Sequence, residues 1–282
     1  MSRAPSLQLG LIGDNIAASR APMLHGLAGT QNGIAVRYDR LVPHQRDMTF
    51  DQLFDHCAGA GYRGLNITYP YKERAVARVR IDDPLVRAIG AVNTVIFDAG
   101  GPTGFNTDYS GFMAACTAAR GTAPLGAVLM IGTGGVGRAV AFGLVGLGVT
   151  EVRLVDRDPD KAQALARALH DSAPQVTVSV HADAVEAASG VSGVINCTPV
   201  GMVGYGGTPL PRAAMAGIVW AFDAVYTPTD TQFLKDAAAE GLEVISGWEL
   251  FFYQGVHAWD LFSGTPLDRS ALRQALNPAE DG

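Results

Sequence analysis

The chain has 282 residues, 48% hydrophobic and 17% charged, with a formal net charge of -6 and a pI near 5.5. That length accommodates two domains with substantial cores. The acidic balance and the lack of a basic run argue against nucleic acid and anionic membranes as main partners.

The opening MSRAPSLQLG lacks a long apolar segment and reads as untargeted. Residues 7–13 (LQLGLIG) read as a strand, and 22–32 as a helix closed by Gly33. AVRYDRLV is a strand, 50–59 a helix, GLNIT a strand and 71–80 a helix. AVNTVIFDAGGPTGFN alternates around Asp98-Ala-Gly-Gly-Pro102 and reads as a hairpin. A helix over 109–120 follows, and the strands AVLMIG, EVRLVD, VTVSV and GVINCT then alternate with helical segments. VWAFDAV, a helix over 229–241, EVIS and C-terminal helices complete the chain.

This rhythm predicts an α/β fold of parallel sheets with helices on both faces. Residues 127–149 are apolar enough to span a membrane, but GTGG interrupts them and Arg138 sits mid-stretch. A buried strand, a glycine turn and a buried helix account for them better. A domain boundary is expected near 108–119. The six histidines have no metal-ligand spacing. Cys57, Cys116 and Cys197 are odd in number and far apart, which argues for no metal and no disulfide framework, and for a reduced cytoplasm.

Gly132-Thr-Gly-Gly-Val-Gly137 lies between a strand and a helical run, the context that a dinucleotide-binding G-x-G-x-x-G requires. Its glycines let backbone approach a pyrophosphate at a helix N-terminus. The next strand ends at Asp156, at the spacing of a carboxylate that binds ribose hydroxyls, which favours NAD over NADP. The adjacent Arg157 is a competing candidate for a 2′-phosphate. In the first half, Ser19, Asn66, Lys72, Asn93 and Asp108 stand at the ends of apolar runs, where α/β sheets collect ligands. Each also has a purely structural account: Ser19 and Asp108 as helix caps, the asparagines as partners for loop backbone, and Lys72 as a solvated first-turn charge. A lysine in a helix's first turn opposes the dipole.

Together these motifs resemble the shikimate dehydrogenase family, and within it the NAD-using quinate/shikimate dehydrogenases. NITYPYK (66–72) is similar to the family's N-[hydrophobic]-T-x-P-x-K, and Gly90–Thr94 to its GAVNT. Asn106–Phe112 resembles NTDxxGF, Gly132–Gly137 GxGGxG, Asn196–Gly201 NxTPxG, and Asp223–Thr231 DxxYxPxxT. The resemblance spans nearly the whole chain.

It implies a two-domain α/β protein: a substrate-binding catalytic domain over 1–110, completed by 247–282, and a doubly wound Rossmann domain over 111–246, with the cleft at their junction. It further implies that Lys72 and Asp108 are catalytic, that Asn66, Thr68, Asn93 and Gln254 hold ring hydroxyls, that Ser19 holds a carboxylate, and that Tyr226 lies nearby. Gly132, Gly134, Gly135, Val136, Asp156, Arg157, Thr198, Val225, Gly247 and Leu250 would meet the cofactor. The implied reaction is reversible hydride transfer between NAD and a ring hydroxyl of shikimate or quinate, by a cytoplasmic monomer or homodimer. An aminoshikimate-type dehydrogenase and a catalytically silent NAD-binding regulator are the alternatives. Three departures stand out. Ala21 replaces the second hydroxyl of the family's S-x-[ST]-P. Leu250 replaces the methionine of GxxMLxxQ. Asp156-Arg157-Asp158 stands where NADP-using members carry N-R-[ST].

Overall fold

The computed structural model describes residues 6–276, so the expectations for the first five residues and for 277–282 lie outside it. Two compact units divide the chain: Met1–Thr107 with Gln254–Gly282, and Asp108–Tyr253.

The first unit contains β1 (Ser6–Ile12), α1 (Ala21–Gln31), β2 (Ala35–Leu41), α2 (Phe50–Gly59), β3 (Gly64–Ile67), α3 (Pro84–Ile89), β4 (Thr94–Asp98) and β5 (Gly101–Phe105). Its sheet runs β2-β1-β3-β4-β5. The first three strands are parallel, while β4 pairs antiparallel with both β3 and β5, so the sheet is mixed rather than wholly parallel. The hairpin at Asp98 joins β4 to β5: the Asp98 carboxylate accepts the Gly100 N–H at 2.8 Å, and Gly101 takes φ +93°. Helix α2 starts at a capping box of Thr49 and Gln52. It lays Phe50, Leu53, Phe54 and Cys57 on Ile12, Leu41, Leu65, Ile67 and Val95. The alternate strand residues Leu9 and Ile96 pack with Ala258 and Phe262.

Residues 71–80 depart from the single helix expected there. Only a 3-10 turn, Arg74–Arg78, forms. The Lys72 carbonyl accepts from the Val92 N–H at 2.9 Å, and the Arg80 N–H donates to Pro102 O at 2.9 Å, so both ends of the segment spend their backbone groups outside a helical ladder. Lys72 therefore lies in a turn and not in a helix's first turn. Helix α3 was not anticipated, although Asp83 caps it, Pro84 opens it and Gly90 closes it at φ +65°.

The second unit carries most of α4 (Thr107–Arg120), then β6 (Ala127–Ile131), α5 (Gly135–Gly146), β7 (Glu151–Val155), α6 (Pro159–Ser172), β8 (Thr177–His181), α7 (Ala184–Ala187), β9 (Gly193–Asn196), β10 (Trp220–Asp223), α8 (Gln232–Ala239) and β11 (Glu243–Ile245). Helix α4 begins two residues before the expected start, so Asp108 sits in its first turn and does not cap it. Helices α9 (Gly247–Ser263) and α10 (Arg269–Leu276) end the described chain, and the unit division falls within α9. All six strands are parallel in the order β11-β10-β9-β6-β7-β8, the doubly wound order, with its reversal between β6 and β9. Residues 127–149 form β6, the glycine turn and α5; no described helix is long and apolar enough to cross a membrane.

The centre of this sheet is tightly filled. Gly193 in β9 faces Trp220 in β10, and a Cβ at Gly193 would lie 2.2 Å from the fully buried indole. Gly193→Ala is expected to destabilise the protein by roughly 1–3 kcal/mol or more, read as a lower urea midpoint. An unchanged midpoint would contradict this packing.

Candidate active site

In the first unit the sheet register places Asn66, at the end of β3, opposite Thr94 of β4, and Thr94 opposite Phe105, just before Thr107. Asn66, Asn93, Thr94 and Thr107 are all buried. They satisfy one another. Asn93 Oδ1 accepts from the Thr107 N–H at 2.7 Å, from Thr107 Oγ1 at 3.2 Å and from Thr94 Oγ1 at 3.0 Å. Asn93 Nδ2 donates to Thr107 Oγ1 at 3.0 Å. Asn66 Nδ2 donates to Thr94 Oγ1 at 3.2 Å, and Asn66 Oδ1 accepts from the Tyr38 hydroxyl at 2.8 Å.

Behind Asn66 lies His25, stacked on Tyr38 at 5.1 Å and edge-on to Phe262 at 5.5 Å. Burial pushes its pKa down to about 3, against the opposing effect of its bond to Asn66. Its Nδ1 has no partner, which fits a neutral ring protonated on Nε2. Neither His25 nor Tyr38 was singled out from sequence: His25 reads as part of an apolar helix face and Tyr38 as an ordinary strand residue.

The remaining expected residues of this unit surround that network in sequence. Ser19 is buried, its hydroxyl accepts from the Ala21 N–H at 3.3 Å, and Arg40 donates to its carbonyl at 2.7 Å. Thr68 and Lys72 are half-buried in the segment that follows β3. The bond from Val92 N–H to the Lys72 carbonyl joins the lysine's backbone to the residue before Asn93. Gln254 is half-buried on α9. The Tyr71 hydroxyl donates to Asp14 at 2.6 Å and secures this loop.

In the second unit, Gly132 takes φ +98°, and a Cβ there would lie 2.7–2.8 Å from the backbone of Cys197 and Thr198. A Cβ at Gly137 would lie 2.2 Å from Gly132 O. These two glycines are required by the chain's own packing. Gly134 is different: its φ is ordinary and nothing lies within 4 Å of where its Cβ would stand. It caps α5, which has no side-chain cap and no acidic residue in its first turn, so Gly135 and Val136 open a bare helix N-terminus. An uncapped N-terminus beside an open cradle suits a pyrophosphate.

Asp156, at the end of β7, accepts from both the N–H (2.6 Å) and the hydroxyl (2.8 Å) of Thr133, and from the Asp158 N–H at 2.9 Å. These donors hold its pKa below the usual carboxylate value, although burial opposes them. The carboxylate thus fixes the glycine turn and carries charge beside it. Arg157 is exposed.

Across the switch point, Asn196 Oδ1 accepts from the N–H and hydroxyl of Thr198 at 2.9 and 2.7 Å, and Asn196 Nδ2 donates to Asp223 at 2.9 Å. Asp223 also accepts from Thr231 Oγ1 at 2.6 Å and the Val225 N–H at 2.9 Å. The polar letters of NCTPVG and DAVYTPTDT therefore bind each other. A Cβ at Gly247 would lie 2.4 Å from Val225 O, Leu250 is buried, and Tyr226 stacks on Phe251 at 4.9 Å.

The profile of the shikimate dehydrogenase substrate binding domain matches residues 11–95. That of the F420-dependent NADP oxidoreductases matches residues 127–204. A quinate/shikimate dehydrogenase (NAD(+)) of Corynebacterium efficiens is 37% identical over 274 residues, 95% of this chain and 96% of that protein. The chain belongs to the shikimate dehydrogenase family. An NADP(+)-named shikimate dehydrogenase of Arthrobacter is 35% identical over 96% of this chain and 94% of its own. The crystal structure of Corynebacterium glutamicum quinate dehydrogenase in complex with NAD superposes with a TM-score of 0.88 at 35% identity, covering 96% of this chain and 98% of that one. Shikimate 5-dehydrogenase from Thermus thermophilus, in complex with NADP(H) and shikimate, gives 0.82 at 33%, again over 96% and 98%. The two-domain α/β architecture with a Rossmann sheet is thus that of the family, and the chain is an oxidoreductase acting on CH–OH groups.

Two buried groups make stability depend on pH with opposite signs. His25 has a depressed pKa, so it contributes stability above about pH 6.5 that is lost as pH falls toward 3. Asp223 is raised to about 6 by burial, despite its three donors, so it contributes stability at low pH that is lost as pH rises through 6. His25→Phe is expected to reduce the loss of unfolding free energy between pH 7 and pH 5 by about 2 kcal/mol relative to wild type. Urea titrations at the two pH values check this, and an unaltered pH dependence would contradict it.

Proposed function

We propose that this family member oxidises a secondary ring hydroxyl of quinate or shikimate with NAD, and runs the reverse reduction. The observation that carries the reading is the full-length similarity to dehydrogenases named for those substrates and that cofactor, with the motif residues present. The unit Met1–Thr107 with Gln254–Gly282 carries most of the proposed ring-binding residues, and Asp108–Tyr253 carries the proposed cofactor-binding ones. NAD, when bound, supplies the hydride acceptor.

Lys72 takes the proton of the reacting hydroxyl as general base and returns it in reverse. Asp108 holds the same hydroxyl. Asn66, Thr68, Asn93 and Gln254 bind the remaining hydroxyls, Ser19 binds the carboxylate, and Tyr226 borders them. The bonds supporting these assignments are the Val92 N–H to the Lys72 backbone carbonyl and the Thr107 N–H to Asn93 Oδ1, the latter one residue before Asp108. Gly132, Gly134, Gly135 and Val136 form the pyrophosphate cradle. Asp156 takes the ribose hydroxyls, and Thr198, Val225, Gly247 and Leu250 flank the cofactor. The enzyme works in the cytoplasm, where its three buried thiols stay reduced.

Lys72→Ala is expected to lower kcat by roughly 10²–10⁴-fold with a smaller change in KM, measured with quinate and with shikimate; wild-type kcat would remove Lys72 from the chemistry. Asp156→Asn deletes the charge that repels a 2′-phosphate while keeping an acceptor for Thr133. It is expected to narrow the NAD-over-NADP preference in kcat/KM about tenfold or more. An unchanged ratio would mean that another group sets cofactor choice.

A further inference from the structure

Strand register sets Arg40 in one row with Asn66. Arg40 pairs with Leu11 across β2 and β1, and Leu11 pairs with Asn66 across β1 and β3. Residues in one row of a parallel sheet point to the same face, so Arg40 stands on the face of Asn66, two strand spacings or about 10 Å away. Tyr38, two residues earlier on β2, shares that face, and its hydroxyl donates to Asn66 Oδ1 at 2.8 Å. Arg40 lies at the carboxyl end of its strand, where α/β sheets collect ligands.

The guanidinium donates to the Ser19 backbone carbonyl at 2.7 Å. Among the described residues Arg40 makes no ion pair, because the neighbouring Asp39 carboxylate is taken by Arg37 and the Tyr62 hydroxyl. Ser19 is in the complementary state. Its buried hydroxyl accepts the Ala21 N–H at 3.3 Å, and no described residue accepts its proton. Covalent geometry keeps that hydroxyl within roughly 8 Å of the guanidinium. A hydroxyl with a proton to donate thus lies beside a cation with no acidic partner, and Ala21 adds no side-chain donor. A guanidinium and a hydroxyl together suit a carboxylate.

We propose that Arg40 is a specificity-determining residue of this chain: it attracts the substrate's carboxylate to Ser19, takes the part of the hydroxyl that Ala21 lacks, and so selects anionic rings over neutral ones. This rests on the functional reading above, in which Ser19 binds the carboxylate. Arg40 is exposed, so water and salt screen its charge and its effect is on the order of tenfold rather than thousandsfold.

The test compares quinate and shikimate with their ring carboxamides, which keep the shape of that end and lose its charge, assayed with NAD. Arg40→Gln removes the charge and keeps a donor for the Ser19 carbonyl. It is expected to raise KM for the two carboxylates about tenfold with little change in kcat, and to change KM for the carboxamides about twofold or less. Arg40→Lys, which keeps the charge, is expected to hold KM for the carboxylates within about threefold of wild type. Added salt is expected to raise KM for the carboxylates in the wild type, and to raise it less in Arg40→Gln. Equal changes for carboxylates and carboxamides would make Arg40 a support of the Ser19 turn alone, and an unchanged KM for both, with the same salt dependence as wild type, would remove it from recognition. Either result overturns the proposal and leaves the functional reading standing. A wild-type enzyme inactive on both parent rings with NAD would overturn the functional reading and this proposal with it.

Discussion

The hydrogen bond from the Thr107 N–H to Asn93 Oδ1 is the point from which the buried polar network of the first unit is set. A buried amide that can turn either way offers a ligand two opposite faces. Tying its oxygen to a backbone donor removes that freedom, because main-chain N–H groups cannot change role. The fixed direction then passes through Thr94 to Asn66 and ends at Tyr38. Each step depends on the sheet register, which sets Asn66 beside Thr94 and Thr94 beside Phe105.

The second unit repeats the device at the ends of its strands β7, β9 and β10. Thr198 N–H fixes Asn196, Val225 N–H fixes Asp223, and the N–H groups of Thr133 and Asp158 fix Asp156. Asp223 shows what this arrangement opposes: three donors favour its charged form, yet burial still raises its pKa. Asp156 is less buried, and there the donors prevail. The same carboxylate that holds the turn at Thr133 therefore also presents stable negative charge beside the proposed ribose site.

The strand–glycine–helix unit was legible in sequence because its signals are local: an apolar run, closely spaced glycines and a helical run. The DAGGP hairpin was legible for the same reason. Residues 71–80 misled because RAVARV has helical composition, while the bond that stops the helix comes from Val92, some twenty residues on. The motif asparagines could be named from the resemblance, but the direction of their amides could not, since it depends on Thr107 and on strand register. Asn196, Asp223 and Thr231 stood in the quoted motifs without a role; in the structure they bind one another. His25 had no sequence signal beyond an apolar flank.

A neutron structure of the deuterium-exchanged protein tests the central claim most directly, because it locates the deuterons. The account predicts a deuteron on Thr107 N directed at Asn93 Oδ1, one on Thr94 Oγ1 directed at the same oxygen, and the two Asn66 amide deuterons on the side facing Thr94. An Asn93 amide with its nitrogen toward Thr107, or an Asn66 oxygen toward Thr94, would contradict it.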